Sequence, residues 1–371
     1  MIVAGAGPAG ASAAYWLGEA GRRVLVLEKD RLPRYKPCGG GVPTAVLARF
    51  PFDFSPVVER EIGRVRFRFR DGREVTADLP PRAVVTVMRD RFDMHILQRA
   101  RADVRDGDPL AALRQDEGGV EVATRSGETF RARYLIGADG ANSRVARLTG
   151  LRRGRSLGAT IAVEAPASDG LLAEYADTVL FVFGALPQGY LWVFPKADHL
   201  SVGVGFFHGG GRQAREALRR EMASLGIAVD GARWHGHPLP ILLHHEPLQR
   251  GRVLLAGDAA GLVDALLGEG IRHAVDSGRL AAEAALADDV GGYTRRLRRE
   301  ISGDLLWGGR WSRLFYDHPW GCFELGVRNP LFLDEFLRLF AGRTTYRRMA
   351  VRAPFTLLLG LGRLRGAQRR T

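Results

Sequence analysis

The stretch MIVAGAGPAGASAAYWLGEAGRRVLVLEKD (residues 1–30) has the order strand, glycine turn, helix, strand. An apolar run leads into Gly5-Ala6-Gly7-Pro8-Ala9-Gly10, a helix of small residues follows, and a second buried strand ends at Glu28. A GxGxxG pattern between a strand and a helix predicts a dinucleotide-binding βαβ unit. The alternative is a glycine-rich turn without a ligand.

Each glycine of this pattern has a physical reason. Gly5 permits the tight turn, Gly7 lets the backbone approach a pyrophosphate, and Gly10 lets the helix pack closely on the strand. The helix N terminus directs its free N–H groups at the phosphates. Glu28 ends the second strand, where an acid can accept a hydrogen bond from a ribose hydroxyl.

The rest of the chain contains segments with strand patterns and segments with helix patterns. RVRFRFRDGREVTADL (64–79) alternates apolar residues with arginine around Asp71-Gly72, which predicts a β-hairpin. Residues 151–250 carry mainly strand patterns with one helix near 212–224, and the strand-turn-helix order then returns. From about residue 290 the pattern is helical.

We therefore predict an α/β fold in three parts. A Rossmann-like nucleotide-binding domain is discontinuous in sequence, an antiparallel-sheet substrate domain is inserted into it, and a helical region with a basic tail ends the chain. Their bounds are 1–60, 84–150 and 250–290 for the first, 61–83 and 151–249 for the second, and 291–371 for the third.

The composition narrows the function classes. The net charge is +13, but lysine occurs only at Lys29, Lys36 and Lys196, and arginine is spread along the whole chain. Since no helix-turn-helix, zinc spacing or arginine–aromatic run is present, no nucleic-acid partner is expected. Two cysteines cannot form a disulfide framework, and no apolar run approaches about 18 residues, so we expect a cytoplasmic protein without a spanning helix.

Two further segments belong with the glycine motif. GADGANSR (137–144) contains a DG turn, and LLAGDAAGLVDALLGEGI (254–271) contains a GD turn after a buried strand. The order GxGxxG, DG, GD resembles the flavoprotein superfamily typified by para-hydroxybenzoate hydroxylase. The resemblance implies FAD as the bound cofactor, which makes the nucleotide-binding domain an FAD-binding domain.

Two signatures point to one branch of that superfamily. PCGGGV (37–42) and LPQGYLWVFPKADHLSVGVG (186–205) resemble the signatures of the geranylgeranyl reductase family. The resemblance covers residues 1 to about 285, and the C-terminal part carries no matching motif. The second signature is matched by Tyr190, Trp192, Phe194, Pro195, Val202 and Gly203.

The resemblance implies roles around the flavin. Asp258 can accept a hydrogen bond from a ribityl or ribose hydroxyl, and the small residues after it, through Gly261, leave room for the cofactor. The amides of Gly270 and Ile271, at a helix N terminus, face the flavin N1–C2=O edge. Glu269 is read as a helix-start carboxylate and not as a proton donor.

Two of the implied contacts have plain alternatives. Asp139-Gly140 lies by the linking phosphates of the cofactor in the superfamily, and the alternative is an ordinary turn. Arg89, placed before a helix capped by Asp90, resembles the arginine with which this family contacts FAD, and the alternative is a surface arginine.

The resemblance also gives a reading of the cysteine between Pro37 and three glycines. Cys38, Gly39 and Gly41 form a loop over the flavin ring, with side chains removed so that substrate can stack on it. The thiol can help to position an alkene or a proton, whereas the alternative is a buried cysteine in a mobile loop. No nucleophilic role is assigned, because no histidine is near in sequence.

Period-two alternation places Tyr190, Trp192 and Phe194 on one face of a strand. We call these three residues the aromatic row. They can line an apolar cavity for a polyprenyl chain, or they can belong to the core of the sheet. The catalytic candidates are Cys38, Tyr190 and Trp192.

The predicted cofactor contacts come from all of these segments, and no metal site is expected, since His244-His245 has no further ligand at a suitable spacing. The set is Gly5, Gly7, Pro8, Ala9, Gly10, Glu28, Lys29, Cys38, Gly39, Gly41, Arg89, Val104, Asp139, Gly257, Asp258, Gly261, Gly270 and Ile271.

The sequence thus predicts an FAD-dependent reductase that saturates double bonds of a geranylgeranyl or polyprenyl chain on a lipid, quinone or diphosphate. Transient NAD(P)H or a reduced redox protein is the expected electron donor, because no second GxGxxG unit is present. A monooxygenase of an aromatic or polyketide substrate is the main alternative, and a flavin halogenase, which needs a suitable lysine, is a weaker one. The arginine-rich tail, 343–371, fits peripheral association with the inner membrane face and equally a solvated end.

Overall fold

The structure is a computed structural model, and it describes residues 1–152, 154, 156–207 and 211–356. The part of the predicted basic tail from residue 357 onward lies outside the described residues. No helix among the described residues is both long and apolar enough to cross a bilayer.

Strands and helices are numbered in chain order. The strands are β1 (Ile2–Ala4), β2 (Leu25–Leu27), β3 (Gly41–Pro43), β4 (Val58–Ile62), β5 (Arg64–Phe69), β6 (Glu74–Asp78), β7 (Val84–Val87), β8 (Asp103–Arg105), β9 (Leu110–Asp116), β10 (Gly119–Thr124), β11 (Thr129–Ala132), β12 (Leu135–Gly137), β13 (Ser156–Pro166), β14 (Thr178–Phe183), β15 (Gly189–Pro195), β16 (His199–Phe206), β17 (Trp234–Ile241), β18 (Gln249–Arg250) and β19 (Val253–Leu255). The α-helices are α1 (Pro8–Glu19), α2 (Thr44–Leu47), α3 (Arg89–Leu97), α4 (Arg144–Thr149), α5 (Asp169–Glu174), α6 (Gly211–Ser224), α7 (Ile271–Leu286), α8 (Tyr293–Leu297), α9 (Gly303–Asp317), α10 (Pro319–Cys322) and α11 (Pro330–Phe340).

Short segments complete the secondary structure. Ser55–Val57 and Gly257–Ala260 form 3-10 turns, and Arg298–Ser302 and Phe323–Val327 are π-helical. Residues 346–356 are helical.

The chain divides into two compact units. Unit 1 contains Met1–Lys36, Arg89–Leu157 and Pro238–Leu306, and unit 2 contains Pro37–Met88, Gly158–His237 and the described residues from Trp307 onward. The segment 37–60, which the sequence assigned to the nucleotide-binding domain, belongs to unit 2 because β3 pairs with β7 there.

Unit 1 contains the predicted Rossmann-like sheet. Its six strands have the order β18-β19-β12-β1-β2-β8, with parallel pairing from β19 through β8 and an antiparallel edge strand β18. A three-stranded antiparallel sheet, β11-β10-β9, accompanies it. Central parallel strands are buried on both faces, and β1 is accordingly an unbroken apolar run.

Unit 2 contains a seven-stranded sheet with the order β17-β13-β16-β15-β14-β5-β6. The predicted antiparallel pairing holds from β13 to β14 and for the hairpin β5–β6, whereas β14 and β5 pair in parallel. A smaller sheet, β3-β7-β4, completes the unit. The hairpin turn lies at Asp71-Gly72, as its sequence predicts.

The two faces of the large sheet bury different residues. One face is aliphatic: Leu191 and Val193 pack with Leu218 and Met222 of the amphipathic helix α6. The other face carries the aromatic row, and β14 adds Phe181 and Phe183 beside it. The alternation predicted for β15 is therefore confirmed.

The C-terminal helices do not form a region of their own. Residues 291–306 belong to unit 1, and the helical residues from Trp307 onward pack on the aromatic face of the sheet in unit 2. Phe315 of α9 lies 4.8 Å from Phe183, and Phe340 of α11 lies 5.7 Å from Phe181, measured between ring centroids. Such edge-to-face pairs add to the apolar burial that holds the helices on the sheet.

Candidate functional site

The glycine turn of unit 1 leaves no room for side chains. Gly5 has φ +101°, and a Cβ there would lie 2.2 Å from the carbonyl oxygen of Ala138. A Cβ on Gly10 would lie 1.8 Å from the carbonyl oxygen of Gly5. The turn and the start of α1 therefore require glycine at both positions, as the GxGxxG pattern predicts.

The same contacts bring the three distant motifs together. Gly5 touches the DG segment at Ala138, and the GD turn touches α1, since a Cβ on Gly257 would lie 2.8 Å from the Cβ of Ala9. Helix α7 packs as closely, with a Cβ on Gly278 falling 2.1 Å from the Ala9 carbonyl oxygen. The motifs thus converge around the N terminus of α1.

Glu28 is buried and fixes the turn. Its Oε2 accepts a hydrogen bond from the amide of Ala6 (2.7 Å), and its Oε1 accepts one from the amide of Asp30 (3.1 Å). The carboxylate predicted to bind a ribose hydroxyl is therefore held at the end of β2, beside the glycine turn.

Two guanidinium groups lie against Gly7. Nη2 of Arg34 and Nη2 of Arg89 would be 3.3 and 4.0 Å from a Cβ on Gly7. Asp93 accepts hydrogen bonds from Arg89 (2.9 and 2.8 Å) and from Arg34 (3.4 Å), which orients both side chains. Glu28 is a second carboxylate here, since its Oε1 lies 3.7 Å from Nε of Arg34. The groups suited to a pyrophosphate are therefore the N–H donors of the two arginines and of the helix N terminus.

The structure corrects the description of Arg89. Arg89 is the first residue of α3 and is buried, so the surface alternative is wrong. Asp90 does not cap the helix but lies in its first turn, and its Oδ1 accepts from the amide of Arg91 (2.8 Å). Arg34 and Asp93 are not among the residues predicted from the sequence, although the i,i+4 spacing of Arg89 and Asp93 is a usable signal.

Arg34→Gln is expected to weaken FAD binding about 10-fold, since a charge-assisted contact to phosphate contributes roughly 1.5 kcal/mol. FAD fluorescence quenching on the apoprotein measures the affinity. Arg31→Gln is the control, because the Arg31 side chain is 83% exposed and pairs only at the surface with Asp106. Equal losses in the two variants would contradict a local role for Arg34.

The GD turn carries an ion pair. Oδ2 of Asp258 accepts a hydrogen bond from Nζ of Lys36 at 3.0 Å, and both side chains are mostly buried. Gly261 has φ +71°, and a Cβ there would overlap the guanidinium of Arg152, 1.6 Å from Nη1. Arg152 thus gives a reason for glycine at 261 that the sequence analysis did not foresee.

Helix α7 begins at Ile271 with Gly270 as its N-cap and without a side-chain cap. Next to it, Glu269 pairs with Arg272 at 2.8 Å. Burial alone would raise the pKa of Glu269, but Arg272 and His273 outweigh it and hold that pKa below its usual value. Glu269 is therefore an anion at neutral pH and does not serve as a proton donor.

Asp139 uses its carboxylate within its own segment. It accepts from Ser143 Oγ (2.5 Å) and from the amides of Arg144 (2.6 Å) and Val145 (3.0 Å), at the start of α4. Burial raises the pKa of Asp139. These hydrogen bonds stabilise the turn, and the contact of Asp139 with a cofactor stays a prediction.

Two residues that are predicted to contact the cofactor have exposed side chains. Val104 is on the edge strand β8, paired with Val26, and is 39% exposed. Lys29 is 64% exposed on its side chain and pairs with Asp30. Their contact with a cofactor stays a prediction.

In unit 2, the segment Cys38–Gly41, which we call the glycine loop, lies on the aromatic row. A Cβ on Gly39 would lie 3.2 Å from Phe194 and 3.3 Å from Nε1 of Trp192, and one on Gly41 would lie 2.7 Å from Phe194. The bare backbone of the loop therefore packs directly on aromatic rings.

Trp192 packs on Gly203, the last matched residue of the second signature, and carries a buried polar atom. A Cβ on Gly203 would lie 2.1 Å from its Cζ2, so the indole covers that glycine. Its Nε1 is buried and has no hydrogen-bond partner among the residues that the structure describes. A buried donor of this kind is suited to an acceptor on a bound ligand.

Lys196, one of the three lysines of the chain, is buried beside the glycine loop. Its Nζ donates to the carbonyl oxygens of Gly39 (2.7 Å) and Val87 (2.9 Å). Burial lowers the pKa of Lys196 to about 8, against smaller opposing effects of Cys38, Glu164 and Glu59. At pH 7 the group is mainly an ammonium.

The residues of unit 1 fit FAD: a turn of bare backbone, a helix N terminus flanked by two guanidinium groups, and a buried acid at the end of β2. Within the described ranges, no cluster of three or more His, Cys, Asp or Glu side chains could hold a metal ion.

Two family models match segments within the first 196 residues of the chain. A model of the NAD(P)-binding Rossmann-like domain matches residues 3–56, and a model of the FAD binding domain matches residues 60–196. The bound cofactor is FAD, and the chain is an FAD-dependent oxidoreductase.

Named relatives resemble most of the chain. Geranylgeranyl diphosphate reductase of Rhodobacter capsulatus is 34% identical over 77% of this chain and 74% of that protein. Menaquinone reductase of Mycobacterium tuberculosis is 32% identical over 78% of this chain and 77% of that protein. A crystal structure of a geranylgeranyl bacteriochlorophyll reductase-like protein of Thermoplasma acidophilum has the same fold, with a TM-score of 0.71, 22% identity and coverage of 85% and 87%.

Proposed function

The chain belongs to the geranylgeranyl reductase family of FAD-dependent oxidoreductases, and from that premise we propose that it saturates double bonds of an isoprenoid chain carried on a lipid, quinone or diphosphate. The observation that carries the proposal is the packing of the glycine loop on the aromatic row, in a chain that binds FAD. Aromatic rings beside bare backbone suit an apolar, flat-sided substrate segment.

The chain's own residues bind and orient the reactants. FAD, when bound and reduced, supplies the hydride that one alkene carbon receives. Gly5, Gly7 and Gly10 admit the cofactor, with Arg34 and Arg89 at its pyrophosphate. The N terminus of α7, at Gly270 and Ile271, would stabilise the negative charge of a reduced flavin with its partial positive charge.

The substrate side of the proposal lies in unit 2. Tyr190 and Trp192 orient the isoprenoid chain and exclude water from it. The Cys38 thiol, at the start of the glycine loop, touches the reacting segment, and a proton reaches the second alkene carbon from water or from a nearby group. Glu269, held ionised by Arg272, is not that group.

Electrons come from transient NAD(P)H or a reduced redox protein in this proposal. Association of the arginine-rich tail with an anionic membrane surface would bring the enzyme to a lipid-embedded substrate.

The function is tested by reducing the flavin without oxygen and adding a geranylgeranyl or polyprenyl substrate. We expect flavin reoxidation together with a gain of two hydrogen atoms for each saturated double bond, read by mass spectrometry. Oxygen should reoxidise the flavin without forming an oxygenated product. Oxygen incorporation into an aromatic substrate, with no change in prenyl lipids, would instead establish a monooxygenase.

Cys38→Ala is expected to keep FAD bound and to lower turnover about 10-fold, because the thiol contributes to positioning within the glycine loop and not to the fold. Cys322→Ala is the matched control, since Cys322 is the other cysteine and lies at the end of α10. The visible spectrum reports FAD and steady-state kinetics report turnover. Unchanged rates in Cys38→Ala would remove this residue from the mechanism.

A further inference from the structure

Lys196 combines complete burial with an unusual set of partners. Its side chain is 0% exposed, and its Nζ donates to two backbone carbonyl oxygens, those of Gly39 and Val87. Lysine is almost never fully buried unless a carboxylate pairs with it, because desolvating the ammonium is costly. An apolar side chain of similar length would fill this space without that cost, so packing alone does not account for a lysine here.

The glycine loop needs donors from outside. Its own side chains are few, yet three consecutive carbonyl oxygens in it accept hydrogen bonds from three different elements. Ser201 Oγ of β16 donates to Cys38 (3.3 Å), Lys196 donates to Gly39 (2.7 Å), and the amide of Val87 donates to Gly40 (2.9 Å). Of these three donors, Lys196 makes a second hydrogen bond, to the carbonyl oxygen of Val87, and so connects the glycine loop with the end of β7.

Lys196 is itself held from both sides. Its amide donates to the carbonyl oxygen of His199 (2.8 Å), and its carbonyl oxygen accepts from Nε of Arg60 (3.1 Å). Next to it, Thr86 Oγ1 donates to the carbonyl oxygen of Pro195 (2.8 Å). Hydrogen bonds thus fix the backbone of Lys196 directly after β15 and the aromatic row, and they fix its ammonium group at the glycine loop.

The contact between Lys196 and the glycine loop leaves no room for a Cβ on Gly40. Gly40 has φ +70°, and a Cβ there would lie 2.6 Å from Nζ of Lys196 and 2.1 Å from the Val87 carbonyl oxygen. The ammonium therefore occupies the space beneath the loop. Without it, the Gly39 carbonyl would lose its donor, and the bonds from Ser201 and from the Val87 amide would have to hold the three successive glycines on Trp192 and Phe194 without the ammonium.

We propose that Lys196 is a positioning residue of the reaction, whose buried ammonium ties the Gly39 and Val87 carbonyls together and so holds Cys38 and the glycine loop against the aromatic row. This inference rests on the proposed function for its kinetic part. Its structural part, the order of the loop, is independent of which substrate reacts.

The test uses Lys196→Met, which keeps most of the length of the side chain and removes its donors, with Arg31→Met as the control at an exposed cation outside the predicted site. In a Cys322→Ser background, iodoacetamide reports on Cys38 alone. We expect Lys196→Met to retain FAD and to react at Cys38 at least 10-fold faster than the parent protein, while Arg31→Met reacts at the parental rate.

Steady-state kinetics distinguish a role in the reaction from a purely structural role. The turnover number of Lys196→Met should fall at least 10-fold, with the KM for a prenyl substrate within about 3-fold of the parent. In Lys196→Ala, propylamine should restore turnover and slow the alkylation of Cys38, whereas propanol should do neither.

Parental alkylation and turnover in Lys196→Met would overturn the proposal. Lys196→Gln, which retains amide donors, is the second variant; loss of folding in both would make Lys196 a residue of the fold alone and would overturn it too. If the parent protein reduces no prenyl substrate, the proposed function fails, while the Cys38 alkylation rates still decide whether Lys196 orders the loop.

Discussion

Gly10→Ala is expected to weaken FAD binding at least about 100-fold, which corresponds to roughly 2.7 kcal/mol. Alanine is the better helix former, so backbone preference alone would favour the substitution within α1. The added Cβ would, however, lie 1.8 Å from the carbonyl oxygen of Gly5. A backbone atom cannot rotate away as a side chain can, so the helix must shift and the turn at the pyrophosphate must open.

The measurements are the ratio of flavin to protein absorbance after purification and the FAD affinity of the apoprotein. Gly291→Ala is the control, because a Cβ there would meet nothing within 4 Å and the residue has no positive φ. Circular dichroism separates loss of the cofactor from loss of the fold. Gly10→Ala protein that purifies with a full complement of FAD would contradict the role given to this contact.

The features that the sequence predicted well are local in origin. The βαβ unit follows from a glycine pattern within 30 residues, and the alternation in 64–79 and 190–194 follows from the pleat of a strand, in which neighbours point to opposite faces. The hairpin at Asp71-Gly72 is equally local. Each of these patterns carries its physical cause in adjacent residues.

The features that the sequence did not predict depend on distant contacts. Lys196 and the carbonyl it binds at Gly39 are 157 residues apart, and Lys36 and Asp258 are 222 residues apart. Gly261 was read as room for a flavin, but its space is limited by Arg152. In a chain so rich in arginine, nothing in the local sequence distinguishes Arg34 and Arg152 from the arginines of the surface.

The same distance explains the misassigned segments. The glycine loop follows the nucleotide motif closely in sequence and was therefore given to the nucleotide-binding domain, whereas its β3 pairs with β7 in unit 2. The C-terminal helices carry no recognised motif, and only the ring contacts of Phe315 and Phe340 reveal that they cover the aromatic face of the sheet. The periodicity of a sequence does not indicate which distant aromatic side chain a given ring packs against.

Gly40→Ala is expected to lower turnover about 100-fold while the FAD affinity stays within about 3-fold of the parent. Two effects combine at this position. An alanine at φ +70° carries a backbone cost of roughly 1 kcal/mol, and its Cβ would lie 2.1 Å from the Val87 carbonyl oxygen and 2.6 Å from Nζ of Lys196. The loop can relieve these contacts only by moving off Trp192 and Phe194, which would misplace Cys38 by enough to lose most of the rate.

Gly72→Ala separates the two effects, because Gly72 has φ +88° in the β5–β6 hairpin and a Cβ there would meet nothing within 4 Å. It carries the backbone cost without the clash, so it should lose a little stability and keep its turnover. Flavin absorbance, thermal unfolding and single-turnover reduction of a prenyl substrate measure the three quantities. If Gly40→Ala lost FAD as Gly10→Ala does, the glycine loop would have to support the cofactor site as well. If Gly40→Ala kept both FAD and turnover, the close packing of this loop on the aromatic row would have no part in the reaction.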